Sequence, residues 1–178
     1  MSNNQQPNSI LNRLLSDMDE EQIQRHPLQP HGIVGLKEDE KRLYATFLAT
    51  LLIDQPVSMA QSRLLTMLLE SMNLSIQLAD LYTSVTEVDK MKLQAFLTLA
   101  DEKGLSPVFL VDALVLCRLD KSLTENQAKS LAEFVNLMSV DDAMLADAVH
   151  LSNKVLRYQE NNENAVADAI NDKASLTI

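Results

Sequence analysis

The 178-residue chain has a single cysteine, Cys117, so it cannot form a disulfide within itself. A lone thiol fits a reducing compartment. There is no tryptophan, aromatic residues make up 4%, and only three glycines and five prolines occur. That leaves little material for a glycine-rich phosphate loop or for the many tight turns of a β-sandwich. Basic residues are also scarce: 15 Lys and Arg stand against 25 Asp and Glu, giving a formal charge of -10 and a pI near 4.7. Such a balance argues against non-specific binding to nucleic acid or anionic lipid, because neutralising phosphates needs a basic surface. Long apolar runs are missing too. The longest, Val108 to Leu119, is interrupted by Asp112 and contains Arg118, far short of the roughly 20 residues a spanning helix needs. The opening residues, Met1 to Asn8, carry no basic region ahead of an apolar core. The expectation is a chain without a leader, in the cytoplasm.

What is abundant is apolar side chain at helical spacing: 46% of residues are hydrophobic and mean hydropathy is -0.07, enough for a sizeable core. Residues 1–36 read as an arm. Ser9 caps a short helix with Ile10, Leu11, Leu14, Leu15 and Met18 on one face, followed by a loose stretch with Pro27, Pro30 and Gly32. Residues 37–158 read as a helical bundle. Lys37-Glu-Asp-Glu40 opens a helix acid-first, and Leu43, Phe47, Leu48, Leu51 and Leu52 form its apolar face. Ser58 and Gln61 make a capping box before Leu64, Leu65, Leu68, Leu69 and Met72. A short helix with Leu78 and Leu81 follows. Thr86 to Asp89 then starts another, stopped by Gly104. Ser106-Pro107 reads as N-cap and first helical residue of a helix apolar nearly all round. Thr124 and Gln127 form a second capping box, and Ser139 to Asp142 open a last long helix. Residues 159–178 read as a frayed tail.

The chain matches itself in one register. Asp54-Gln-Pro-Val-Ser58-Met-Ala-Gln61 aligns with Asp120-Lys-Ser-Leu-Thr124-Glu-Asn-Gln127, 66 positions on (54 to 120). The repeat covers about 47–74 and 113–140. Each half reads as an apolar helix, an acidic turn and an amphipathic helix, so the expected architecture is all-α, a compact bundle of two related hairpins.

That pattern resembles the tellurite-resistance TerB-like helical family. The closest stretch runs from Phe109 through Leu-Asp120-Lys-Ser-Leu-Thr-Glu125, with Ile53-Asp-Gln-Pro-Val-Ser58 as a fainter copy. Family members carry Asp-Gly in this turn and an acid just after the Ser or Thr, acids suspected of holding a divalent cation. Here Gln55 and Lys121 replace the glycine, and of the second acids only Glu125 is kept, Met59 taking the other place. The resemblance implies an all-α bundle that binds other proteins in bacterial envelope or stress-related assemblies, and it implies no catalytic reaction.

Three acids, Asp54, Asp120 and Glu125, are the candidate metal ligands. Ca²⁺ or Mg²⁺ would need more oxygens than these, and the plainer role is turn and helix-start stabilisation, so no cofactor is expected. Asp112, inside the most apolar helix, needs a buried partner such as a Lys, an Arg or a free helix N-terminus. His26 and His31 fall in the loose arm and His150 stands alone. Cys117 reads as a buried hydrophobe. Met59, Met67, Met72, Met138 and Met144 read as core filler that could also line an adaptable groove. No nucleophile, metalloprotease or phosphate-loop motif occurs. The expected function is a non-enzymatic, acidic protein-interaction module whose partner contacts include Ile10, Leu11, Leu14, Leu15 and Met18, with a possible homodimer and no nucleic acid. The alternatives are a divalent-metal-dependent regulator or enzyme, and an immunity-type inhibitor of a basic target.

Overall fold

The computed structural model describes residues 30–53, 56–119, 122–156 and 163–175. The arm residues Ile10, Leu11, Leu14, Leu15 and Met18, and the turn acids Asp54 and Asp120, lie outside these. Among the described residues every regular element is a helix: α1 (Glu38–Thr50), α2 (Met59–Ser71), α3 (Leu78–Thr86), α4 (Lys90–Lys103), α5 (Ser106–Arg118), α6 (Glu125–Leu137), α7 (Asp142–Leu156) and α8 (Glu163–Ser175). All belong to one compact unit that begins at His31.

Local chemistry sets the helix ends. Both expected capping boxes are formed: the Gln61 amide N–H donates to Ser58 Oγ at 3.1 Å and Gln127 N–H to Thr124 Oγ1 at 3.2 Å, while each glutamine side chain accepts from its cap residue's N–H. Asp89 and Asp141 cap α4 and α7 by accepting from Lys92 and Met144 amides, each at 2.8 Å. At the other ends, α2, α4 and α6 finish alike. A residue in the left-handed region (Asn73 at φ 54°, Gly104 at 62°, Ser139 at 52°) is followed by one whose N–H reaches back five residues, from Leu74 to Leu69, Leu105 to Ala100 and Val140 to Val135. This is the Schellman arrangement. The residue after the turn is apolar and packs inward, so the chain reverses direction while staying in the core.

The 66-residue spacing is kept in the second helix of each half, while the first helices, α1 and α5, are offset by 68. α2 and α6 have equal length, the same capping box and a left-handed residue at the equivalent position. The paired hairpins are not confirmed. Successive helices are not each other's chief neighbours; α1 packs mainly on α3, with α4 and α5 beside it, and α5 packs mainly on α7. The glutamines of the two capping boxes differ in their second contact. Gln61 Nε2 donates to Leu116 O at 3.3 Å, whereas the buried Gln127 Nε2 has no acceptor.

Three expectations need correcting. Ser106 is the first residue of α5 and not its cap. Leu105, held by the preceding Schellman turn and already helical at φ -86° and ψ -10°, occupies the cap position. Residues 31–36 are not part of a loose arm: Ile33 is 1% exposed, Leu36 packs against the core, and His31 N–H donates to Ser71 O at 2.8 Å. Nor does the C-terminal segment fray as a whole. α8 packs against α6 and α7 with Ile170 fully buried and Val166 and Ala174 beside it in the core, a narrow i, i+4, i+8 stripe. Asn136 Nδ2 also donates to Ala174 O at 3.1 Å. Among the methionines, Met72 is buried and Met138 packs against the core, while Met59 and Met67 face outward.

If α8 is part of the folded unit, Ile170→Ala should lower unfolding free energy by about 2–5 kcal/mol in a urea titration. A frayed segment would show almost no change.

Candidate functional site

α5 is the most enclosed helix. Phe109, Leu110 and every residue from Asp112 to Arg118 are buried, so both of its ionised side chains must be satisfied internally. Arg118 donates from Nη1 to Ser152 Oγ at 2.9 Å, and that hydroxyl donates on to Val149 O, which ties α5 to α7.

Asp112, 8% exposed, is met by two donors on a single oxygen. Tyr44 of α1 donates its hydroxyl to Oδ2 at 2.6 Å, and His31 approaches the same atom with Nε2 at 2.9 Å. The other ring nitrogen of His31, Nδ1, accepts from the Ile33 amide at 3.3 Å. A nitrogen that accepts carries no proton, so this pattern assigns the neutral Nε2–H tautomer. The carboxylate is thus served by two neutral donors, which avoids burying a second full charge beside it.

The surroundings hold these donors in place. The Tyr44 ring stands edge-on to Phe109 at 5.5 Å, and Phe109 meets Phe96 and Phe134, each at 5.0 Å. Phe96 stacks on Phe47 at 4.5 Å, so all four phenylalanines form one cluster joining α1, α4, α5 and α6. Burial, together with the charge and hydrogen bond of Asp112, raises the Tyr44 hydroxyl well above its ordinary range. Chemically the cluster is closed. Both ring nitrogens of His31 are engaged, and the tyrosine is held protonated. The arrangement positions three chain segments against one another.

The expectation that Asp112 has a buried partner is met, but by Tyr44 and His31 and not by a Lys, an Arg or a helix N-terminus. Those two residues were missed because both are uncharged here and lie 68 and 81 positions upstream (112 to 44, 112 to 31). The one hint in the sequence was Ile33 and Leu36 just after His31, apolar residues that a free arm has no reason to carry.

Glu125, the one candidate metal ligand among the described residues, sits exposed and pairs with Lys173 of α8 at 3.0 Å. That hydrogen bond and charge hold its carboxyl below the usual range. Among the described residues no group of three or more His, Cys, Asp or Glu side chains is arranged to hold a metal ion, and no helix is long and apolar enough to cross a membrane. Cys117 is buried, and burial pushes its thiol up to about 12.

No protein-family model matches the chain, and comparison with the curated proteins and with the solved structures returned no match.

Tyr44→Phe should cost about 2 kcal/mol, the worth of a buried hydrogen bond to a charged acceptor. The sign with pH follows from the raised tyrosine. Above about pH 10 the unfolded chain releases a proton that folded Tyr44 retains, so stability falls as pH rises. Between pH 10 and 11 the urea midpoint of the native chain should drop more steeply than that of Tyr44→Phe; equal slopes would remove Tyr44 from the account.

Proposed function

We propose that this chain is an acidic, all-helical, non-enzymatic module that works by binding another protein, TerB-like in build and cytoplasmic, in an envelope or stress-response assembly. The observation that carries this reading is on α7. Leu151 and Val155, one helical turn apart, are 48% and 61% exposed, while Leu145, Val149 and Asn153, four residues apart in turn, are buried on the far side. Two large apolar side chains at i, i+4 make the kind of anchor a partner helix or groove uses. The test is binding with and without that anchor. A partner recovered with the full chain and then purified should lose at least about tenfold in affinity to Leu151→Asp/Val155→Asp, the scale of truncating an interface anchor. Unchanged affinity, or no stoichiometric partner at all, would contradict the reading.

A second observation favours a basic target. Between α1 and α4 a shallow cleft of about 370 Å³ has Leu43, Ala95 and Leu99 along it and Asp39, Glu40 and Glu102 around it. Asp39 and Glu102 form no ion pair within the chain among the described residues, so their charge is available to a basic surface. If this cleft is used, raising salt from 50 to 500 mM should weaken the complex strongly, and Asp39→Asn/Glu102→Gln should flatten that dependence. A salt-insensitive complex would leave the α7 contact as the whole of the binding.

A further inference from the structure

Residues 31–36 touch the rest of the molecule in few ways. Their own turn is closed locally, with Val34 N–H donating to His31 O and Leu36 N–H to Ile33 O, each at 2.9 Å. Among the described residues they hold to the helices through the His31 N–H to Ser71 O, the His31 ring to Asp112 and edge-on to the Tyr44 ring at 6.1 Å, the buried Ile33 side chain and the partly buried Leu36. An independent observation concerns Gly32 and Gly35, which flank Ile33 and Val34. Neither has a positive φ, and a Cβ added to either would meet nothing within 4 Å. The closed conformation therefore requires glycine at neither position. What glycine supplies there is backbone freedom once the segment is detached.

We propose that residues 31–36 form a strap that opens and closes as a unit on an intact bundle, with the His31–Asp112–Tyr44 contact as its latch. His31 is where the chain enters the compact unit. Opening detaches the six residues that lead into α1, about 20 Å when extended. It also uncovers the apolar seat that Ile33 fills. Closing covers the seat again, so the latch sets how often that seat is exposed. This goes beyond the proposed function and does not depend on it.

Native-state hydrogen exchange on the full chain tests the proposal by comparing the His31, Val34 and Leu36 amides with those in the middle of α5 and α7. In the native chain the strap amides should exchange through an opening that leaves α5 and α7 protected. His31→Ala should speed strap exchange by about 10- to 100-fold, the worth of a hydrogen bond to a charged group, with α5 and α7 much less affected. Gly32→Ala and Gly35→Ala should each slow it by about 2- to 5-fold, because alanine restricts the open segment more than the closed one. The proposal is overturned if strap amides exchange only together with α5. It is equally overturned if His31→Ala accelerates all three regions by the same factor, or if the alanine variants speed strap exchange.

Discussion

A carboxylate near the middle of the most apolar helix has to be given hydrogen-bond donors, and the way this chain does so determines much else about it. Asp112 could have been matched with a cation, but two buried charges cost more desolvation than one. Two neutral donors from distant parts of the chain meet it instead. To deliver its hydroxyl, Tyr44 must stand against Phe109, which seats α1 on α5 beside the phenylalanine cluster. To deliver its ring N–H, His31 must be drawn in at the start of the compact unit, and Ile33 is buried along with it. One acidic side chain thus fixes the relation of three segments that share no local sequence signal.

The features legible in the sequence were the short-range ones. A capping box involves side chains three residues apart, and both were readable at Ser58 and Thr124 because nothing distant decides them. Gly104 likewise announced the end of α4. What escaped depends on contacts across the fold. Pro27, Pro30 and Gly32 carry the composition of a tether, yet the order of residues 31–36 comes from the His31 ring and the Ile33 side chain. α8 offers a stripe of only Val166, Ile170 and Ala174, too narrow to argue for packing until the groove beside α6 and α7 is known. Ser139 adopts a left-handed conformation usually given to glycine or asparagine. The only sequence hint to that is its alignment with Asn73 one repeat earlier.

The repeat itself shows how one local device can serve two packing arrangements. Helix start, helix length and reversing turn agree at 66 residues' separation, whereas the long-range contacts diverge. α6 is covered by α8, while α1 gathers α3, α4 and α5 around it. The glutamines of the two capping boxes carry the same divergence, one reaching the end of α5 and the other buried without an acceptor. The repeated turn is therefore a device for reversing the chain, and the individuality of the protein lies in what surrounds it: the latched strap, the acidic cleft and the bare face of α7.

The account's central claim is that neutral His31 donates its Nε2 proton to Asp112 while Nδ1 accepts from the backbone. Long-range ¹H–¹⁵N correlation of the His31 ring at neutral pH reads this directly, because protonated and unprotonated ring nitrogens resonate far apart. The account predicts a single form with the proton on Nε2, and loss of that fixed pattern in Asp112→Asn. A proton on Nδ1, or rapid averaging between the two nitrogens in the native chain, would contradict it.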